Sequence, residues 1–329
     1  MRDSYCAELL RYMPSSTDVK NLRSSLMINC VVNAFLAYST VILNCVTIHA
    51  VRKTSSLSTP LKTLLLSLAV SDVSIGLLNQ PFYVALLSRS LQGFNLDCTA
   101  YTAFTFVIVF FTSASLFGVM AVSVDRYMAI HLHLRYRELV TEKRIVAGVV
   151  LIWVLSGCMS SIFLWIPPNL FALTFAIAAA ICLLFSTFLY FKIYTIVKRH
   201  STQIRQMQLQ RVRNAFRNDE LMTNFASLRK SAIGTFYVYA VFLLCYTPHA
   251  FSLIAISARA GSPTAMKGLY LYSLTLTFLN SCLNPVIYCW KMRPIRRAVL
   301  NSLPFLRNTE RESFWQTRTY NEEGTVFSL

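Results

Sequence analysis

This chain has little charge for its length. Only 14% of its 329 residues are Asp, Glu, Lys or Arg, against 55% hydrophobic, and the mean hydropathy is +0.50. That is too apolar for a soluble domain of this length, so a membrane-embedded chain is expected. Acids are scarcer than bases, 14 against 31. The net charge of +17 would suit nucleic acid, but the bases sit between apolar runs, where they report membrane topology instead, so no nucleic-acid partner is expected. No two of the nine cysteines stand in C-x-x-C spacing, and no metal-ligand spacing is present. No N-x-S/T triplet occurs, so N-glycosylation is not expected. Met1–Ser25 is polar and mixed in charge, without the pattern of a cleaved signal, so the apolar run from Leu26 is expected to remain as an anchor.

What is there is a series of apolar runs, at about 27–51, 61–88, 99–131, 143–166, 170–197, 231–258 and 268–290. Each is long enough to cross a bilayer as a helix, which takes about 20 residues. The expected fold class is an all-α membrane protein, a seven-helix bundle. Its organisation is a short extracellular segment over 1–26, a helical domain over 27–303 and a disordered cytoplasmic tail over 304–329. The domain is expected to end in an amphipathic helix from Met292 to Leu303, where Arg293, Arg296 and Arg297 alternate with Ile295, Val299 and Leu300. Connections after the first, third and fifth runs are rich in base, including Arg52, Lys53, Arg135, Arg144, Lys198 and Arg199. The opposite connections hold only Arg89, Arg259 and Lys267. The N-terminus is therefore outside and the C-terminus inside.

Several polar residues stand where lipid should exclude them. Asp125 and Arg126 close the third run, either as an interfacial ion pair with a snorkelling arginine or as a functional element. Asp72 lies about a dozen residues into the second run, where a carboxylate costs roughly 2.5–3.5 kcal/mol unless it meets partners. Asn44, Ser115, Asn280, Ser281 and Asn284 stand at matching depth. The set suits a small hard cation, or a hydrogen-bonded packing network without one. Pro248 and Pro285 each remove a backbone hydrogen bond inside a run, either as hinges beside this polar set or as the prolines common in membrane helices. A transporter or channel would need acids or bases at several depths along one path, whereas Asp72 is the only acid well inside. An enzyme would need a nucleophile–base pair or a metal cluster in the spans, and none is visible.

Taken in order, these residues resemble the rhodopsin-like (class A) G-protein-coupled receptors over nearly all of the runs. The resemblance rests on Asn44, Leu68-Ala69-Val70-Ser71-Asp72, Asp125-Arg126-Tyr127, Trp153, Tyr190, Cys245-Tyr246-Thr247-Pro248 and Asn284-Pro285-Val286-Ile287-Tyr288. It implies a multi-pass plasma-membrane receptor, not an enzyme, with a heterotrimeric G protein, arrestin and a receptor kinase as partners, besides membrane lipids. It implies that Arg126 pairs with Asp125 at rest and is released into a cytoplasmic cavity where Tyr190 and Tyr288 receive it. A sodium ion on Asp72, Ser115, Asn280, Ser281 and Asn284 would bias the resting state. Switching would involve Tyr127, Tyr246, Pro248, Asn284 and Pro285.

Departures from the family pattern narrow the reading. The second outer connection is only about Pro167-Pro168-Asn169 and holds no cysteine for the usual cystine. Cys182 stands near the place of the usual fifth-helix proline, and Tyr246 replaces the usual sixth-helix tryptophan. This combination resembles the branch holding the melanocortin, cannabinoid and lysophospholipid receptors, shared in part by the adenosine receptors. Cys98 and Cys6 are the two cysteines outside the spans, either bonded to each other or both free.

A ligand pocket would be lined by Phe82, Tyr83, Thr105, Ile108, Val109, Thr112, Tyr246, His249, Leu253, Leu274 and Phe278. Ile108 stands where aminergic receptors carry their aspartate, Phe278 where opsins carry their lysine, and Leu253 where adenosine receptors carry an asparagine. Phe82, Tyr101 and Thr105 replace the melanocortin acids. What remains is a lipid, a small neutral aromatic or an uncharged peptide end, and a pocket left uncovered by the short second connection favours a lipid. His249 reads either as a ligand contact or proton sensor, or as a histidine bonded to a neighbouring hydroxyl. The third cytoplasmic connection, Arg199 to Leu228, reads as a basic loop. Leu228, Arg229 and Lys230 leave no acid to lock Arg126 to the sixth helix, so ligand-independent signalling is expected.

Overall fold

The computed structural model describes residues 2–55, 57–94, 97–132, 135–210 and 219–302, and all regular structure among them is helical. A short helix α1 (Arg2–Leu9) and a 3-10 turn (Leu10–Tyr12) precede the bundle. The first span is α2 (Ser16–Lys53). The second is α3 (Thr59–Ser74), a π turn (Ile75–Asn79) and α4 (Gln80–Leu91). The third span is α5 (Cys98–His131), followed by a single turn α6 (Tyr136–Leu139) and the fourth span α7 (Glu142–Phe163). The last three spans are α8 (Pro168–Gln210), α9 (Asp219–Ser257) and α10 (Pro263–Lys291), and α11 (Arg293–Ser302) follows them. Six of these spans are long and apolar enough to cross a membrane by length and composition. The seventh, α10, has the length, at 29 residues, but turns Ser273, Thr277, Asn280, Ser281 and Asn284 into the bundle.

Local chemistry sets the helix ends. Ser15 and Asp18 form a capping box at the start of α2, and Asp97 accepts the backbone N–H of Ala100 (3.0 Å) at the start of α5. Pro60, Pro168 and Pro263 sit in first turns, where a missing N–H costs nothing. The π turn lies just before Pro81, which has no N–H to return to the preceding turn. The bundle is apolar outside, and it turns its polar side chains into an otherwise apolar interior. Val150, Leu151, Val154, Ile181, Leu184 and Phe191 are exposed on α7 and α8, while Asn33, Asn44 and Asp72 are buried.

Two boundaries differ from the sequence reading. The first span begins at Ser16 rather than near 27, because Asp18 is held at the outer rim by Lys267 (2.7 Å) and Thr264 (2.6 Å) of α10. The third cytoplasmic connection is not a loop throughout: α8 continues to Gln210 and α9 resumes at Asp219. The stretch from Arg199 to Gln210 has no glycine or proline and is rich in Gln and Arg, so nothing in it stops a helix. The tail read over 304–329 lies outside the described residues.

Polar threads and close approach tie the helices together. Asn44 Nδ2 donates to the Ser281 carbonyl (2.9 Å), Trp153 Nε1 to Ser67 Oγ (3.1 Å), and Asn33 Nδ2 to Thr275 Oγ1 (2.7 Å). A Cβ on Gly76 would lie 2.9 Å from Val41 Cγ2 and 3.1 Å from the Ala37 carbonyl oxygen, so only glycine lets the second span approach the first this closely. Gly76→Ala should destabilise the receptor by about 1–3 kcal/mol through overpacking. Gly148→Ala, with nothing within 4 Å of the added carbon, should be neutral or stabilising. Thermal unfolding of the two purified variants measures the difference.

Candidate functional site

At the cytoplasmic end of α5, Arg126 and Asp125 form an ion pair whose side chains are only 3% and 2% exposed. Arg126 Nε donates to Asp125 Oδ2 (2.9 Å), and Nη2 contacts the same oxygen. Nη2 also reaches Ser58 Oγ (3.4 Å), just before α3. The other carboxylate oxygen accepts the Tyr136 hydroxyl of α6 at 2.6 Å. Burial and the adjacent Asp125 charge raise the Tyr136 pKa, so it remains a donor. The acid is thus satisfied on both oxygens, one by a neighbour that the sequence reading missed. Tyr127 turns aside and stacks on His131 (5.3 Å). Tyr190 and Tyr288 line one small void, about 10 Å³, with Leu65, Leu68, Val119, Val122, Thr235 and Val238. Val122 is one turn above Arg126 on α5, so the void lies on the interior side of the pair.

Among the described side chains, rings and hydroxyls hold the cytoplasmic half of the sixth span. On one side the Tyr239 hydroxyl donates to the Leu183 carbonyl (3.0 Å) and meets Thr187, while its ring stacks on Tyr190 (5.1 Å). On the other, the Lys291 ammonium lies 4.0 Å over Tyr237 and 3.3 Å over Trp290. A Cβ on Gly234 would lie 3.0 Å from Met292, so α9 abuts the end of α10 closely. Of the residues read as lacking a lock, Arg229 is exposed, and the side chains of Leu228 and Lys230 lie outside the described ones.

In the middle of the bundle Asp72 is fully buried, and its Oδ2 accepts from Asn284 Nδ2 (2.9 Å). Asp72 Oδ1, Asn284 Oδ1 and both polar atoms of Asn280 are buried without a hydrogen-bond partner. Ser115 shares a hydrogen bond with Ser71 (3.1 Å) instead of reaching Asp72, and the Ser281 carbonyl serves Asn44. Unpaired oxygens around one carboxylate fit a small hard cation, and among the described residues no cluster of His, Cys, Asp and Glu competes with them. Pro248 and Pro285 lie inside α9 and α10, Pro285 directly after Asn284.

The outer cavity is lined by Thr105, Ile108, Val109, Thr112, His249 and Leu253, as the sequence reading expects. It offers about 60 Å³ to the centres of water-sized atoms, room for a few waters or a small flat group. Five expected residues do not line it. Phe82 packs edge-on against Phe104, while Tyr83 stacks on Phe104 and tilts against Phe278. Leu274 is buried in the same cluster, and Tyr246 stacks on Phe242 (3.8 Å). The π turn adds a residue to the second span, which rotates everything beyond it by roughly 100° relative to a regular helix. His249 Nδ1 lies 3.3 Å from Ser273 Oγ, so it both lines the cavity and is bonded to a neighbouring hydroxyl.

The profile of the 7 transmembrane receptor (rhodopsin family) matches residues 43–167 and 165–288. The chain belongs to this family. It is a class A G-protein-coupled receptor, a multi-pass plasma-membrane protein that signals through G proteins and is not an enzyme. It is similar to adenosine receptor A2b of Mus musculus, at 27% identity over 283 residues, or 75% of this chain and 81% of the relative. The Homo sapiens A2b receptor gives the same figures. Homo sapiens adenosine receptor A2a is 25% identical over 280 residues, 75% of this chain and 65% of the relative.

The receptor's cavity is not uncovered, as the short second connection suggested. The N-terminal segment folds over it. Leu9 and Tyr12 line the cavity together with Tyr101, Phe163, Pro168, Phe171, Ala172, Phe175 and Tyr270, all missed as pocket residues in the sequence. Cys6 and Cys98 are joined by a disulfide that ties α1 to the top of α5, and the Tyr5 hydroxyl donates to the Phe163 carbonyl (3.2 Å). The bond is one of the two readings that the sequence left open for Cys6 and Cys98. Denaturing alkylation of the intact chain should modify the seven remaining cysteines, and reduction should release two more. A mass shift for all nine before reduction would contradict the bond.

Proposed function

We propose that the receptor is switched by transfer of Arg126 from Asp125 to the void lined by Tyr190 and Tyr288, driven by a small, mainly aromatic, uncharged ligand in the outer cavity. The observation that supports the switch is the buried Arg126–Asp125–Tyr136 cluster, in which both oxygens of Asp125 are bonded. Releasing Arg126 frees the cytoplasmic ends of α5 and α9 to part and admit a G-protein helix, with Pro248 and Pro285 as hinges. Asp72, with Asn280, Ser281, Asn284 and Ser115 around it, would hold a sodium ion that favours the resting arrangement by binding it more tightly. Tyr246 and Tyr127 flank this path. Arrestin and a receptor kinase are expected to act on the same cytoplasmic face.

The lining of the cavity supports the ligand class. With Tyr12 in place, the polar side chains of its open part are the hydroxyls of Tyr12, Tyr101, Thr105, Thr112 and Tyr270 and the His249 imidazole, with no carboxylate or amide among them. A charged amine would have no counter-ion there. A purine nucleoside, suggested by the likeness to adenosine receptors, would meet Leu253 where an amide would serve it better. A lipid chain would have to pass the N-terminal segment.

Purified receptor that catalyses nucleotide exchange on a G-protein α subunit tests the whole reading. Tyr136→Phe removes a hydrogen bond to a buried charge, about 1.5–3 kcal/mol. It should raise basal exchange about tenfold if that bond exists only at rest; no change would place the restraint elsewhere. Raising sodium should lower basal exchange in the native receptor and have no effect in Asp72→Asn. An equal sodium response in both would remove the ion from the mechanism.

A further inference from the structure

We propose that the outer cavity contains a phenol subsite, occupied by the chain's own Tyr12, and that the external ligand carries an aromatic hydroxyl that displaces it. This rests on the reading of the cavity as the ligand site. The turn Leu10–Tyr12 hangs between two anchors. On one side the Cys6–Cys98 bond fixes α1, and on the other Asp18 is gripped by Lys267 and Thr264. Between them Tyr12 turns inward and is only 4% exposed.

The subsite selects a hydroxyl donor. The Tyr12 oxygen lies 2.8 Å from Ser257 Oγ and 3.2 Å from Asn169 Oδ1. Ser257 Oγ also reaches the Leu253 carbonyl (2.8 Å), and either hydroxyl of the Tyr12–Ser257 pair can be the donor, whereas Asn169 Oδ1 only accepts. Side chains of α8 and α9 thus bracket one hydroxyl, which donates to Asn169 Oδ1 while it exchanges a second hydrogen bond with Ser257, and a carbonyl oxygen, with no proton to give, cannot make both contacts. The Tyr270 ring of α10, 6.0 Å away at 59°, meets the face of the phenol. Burial raises the Tyr12 pKa, which keeps the proton in place. Leu9 fills the aliphatic position beside it, and the cavity continues downward along Thr105, Ile108 and His249. Tyr12 thus occupies the upper part of a site whose lower part stays open. A phenol with an apolar body would fill both.

Accessibility measures this without relying on signalling. In full-length receptor carrying Thr105→Cys, with the native disulfide kept, methanethiosulfonate ethylammonium reports cavity access by its labelling rate, corrected for receptor without that substitution. Adding Tyr12→Ala should accelerate labelling about tenfold, since both the ring and its hydrogen bonds are lost. p-Cresol, the excised side chain, should then restore slow labelling, toluene should not, and p-cresol should do little while Tyr12 is present. Unchanged labelling in Tyr12→Ala, equal protection by toluene, or equal p-cresol protection with and without Tyr12 would each overturn the subsite. If Tyr12→Ala does not fold, Tyr12→Phe serves instead: labelling about fivefold faster supports the proposal and an unchanged rate overturns it. Lack of nucleotide exchange with this labelling pattern intact would remove the signalling reading and leave the subsite standing. Exchange without p-cresol protection would do the reverse.

Discussion

A guanidinium buried at the cytoplasmic edge of a membrane bundle has to be neutralised by something equally buried, and Asp125 does this for Arg126 with both side chains almost wholly out of solvent. Much of the cytoplasmic half follows from that constraint. The carboxylate has a second oxygen to satisfy, so Tyr136 of the short helix α6 is drawn in against α5. The guanidinium has further N–H groups, and Ser58 at the start of the second span takes one. Three segments are thereby placed around one pair. Because a lone buried charge is far more costly than a paired one, Arg126 can leave only when another polar environment is ready to take it.

The sequence was most informative where lipid punishes error. Apolar runs and acids at improbable depth carry large free energies, so the spans and the burial of Asp72 beside Asn284 could be read directly. It was least informative where the deciding contacts are tertiary and cheap. Arg2–Met13 is a polar stretch with no strong periodicity, yet one disulfide and one buried tyrosine fold it over the cavity. The π turn at Ile75–Asn79 has no marker beyond Pro81, and it was enough to turn Phe82 and Tyr83 from the cavity into the packing between the second, third and seventh spans. The continuation of α8 and α9 beyond the membrane was hidden by the expectation that a basic polar stretch is a loop.

The two ends of the receptor use different physics for the same purpose. Outside, the cover over the cavity is fixed covalently at Cys6 and by an ion pair at Asp18, with a single tyrosine reaching inward between them. Inside, nothing covalent holds the sixth span. Its position depends on ring stacking, on a hydroxyl bonded to the Leu183 carbonyl, and on close contact at Gly234. Changes at the outer end are therefore displacements of an anchored segment, whereas changes at the inner end are slippages between packed surfaces.

The ammonium of Lys291 between Tyr237 and Trp290 has a mechanical consequence. It fastens the sixth span to the end of the seventh through the faces of rings, which tolerate sliding and rotation far better than a bidentate ion pair does. In the proposed switch, an outward swing of α9 would then drag the last turn of α10 along for part of its travel before the two separate. Movement at Pro248 would in that way be passed to the segment beyond Pro285, and the two hinges would work in sequence rather than independently.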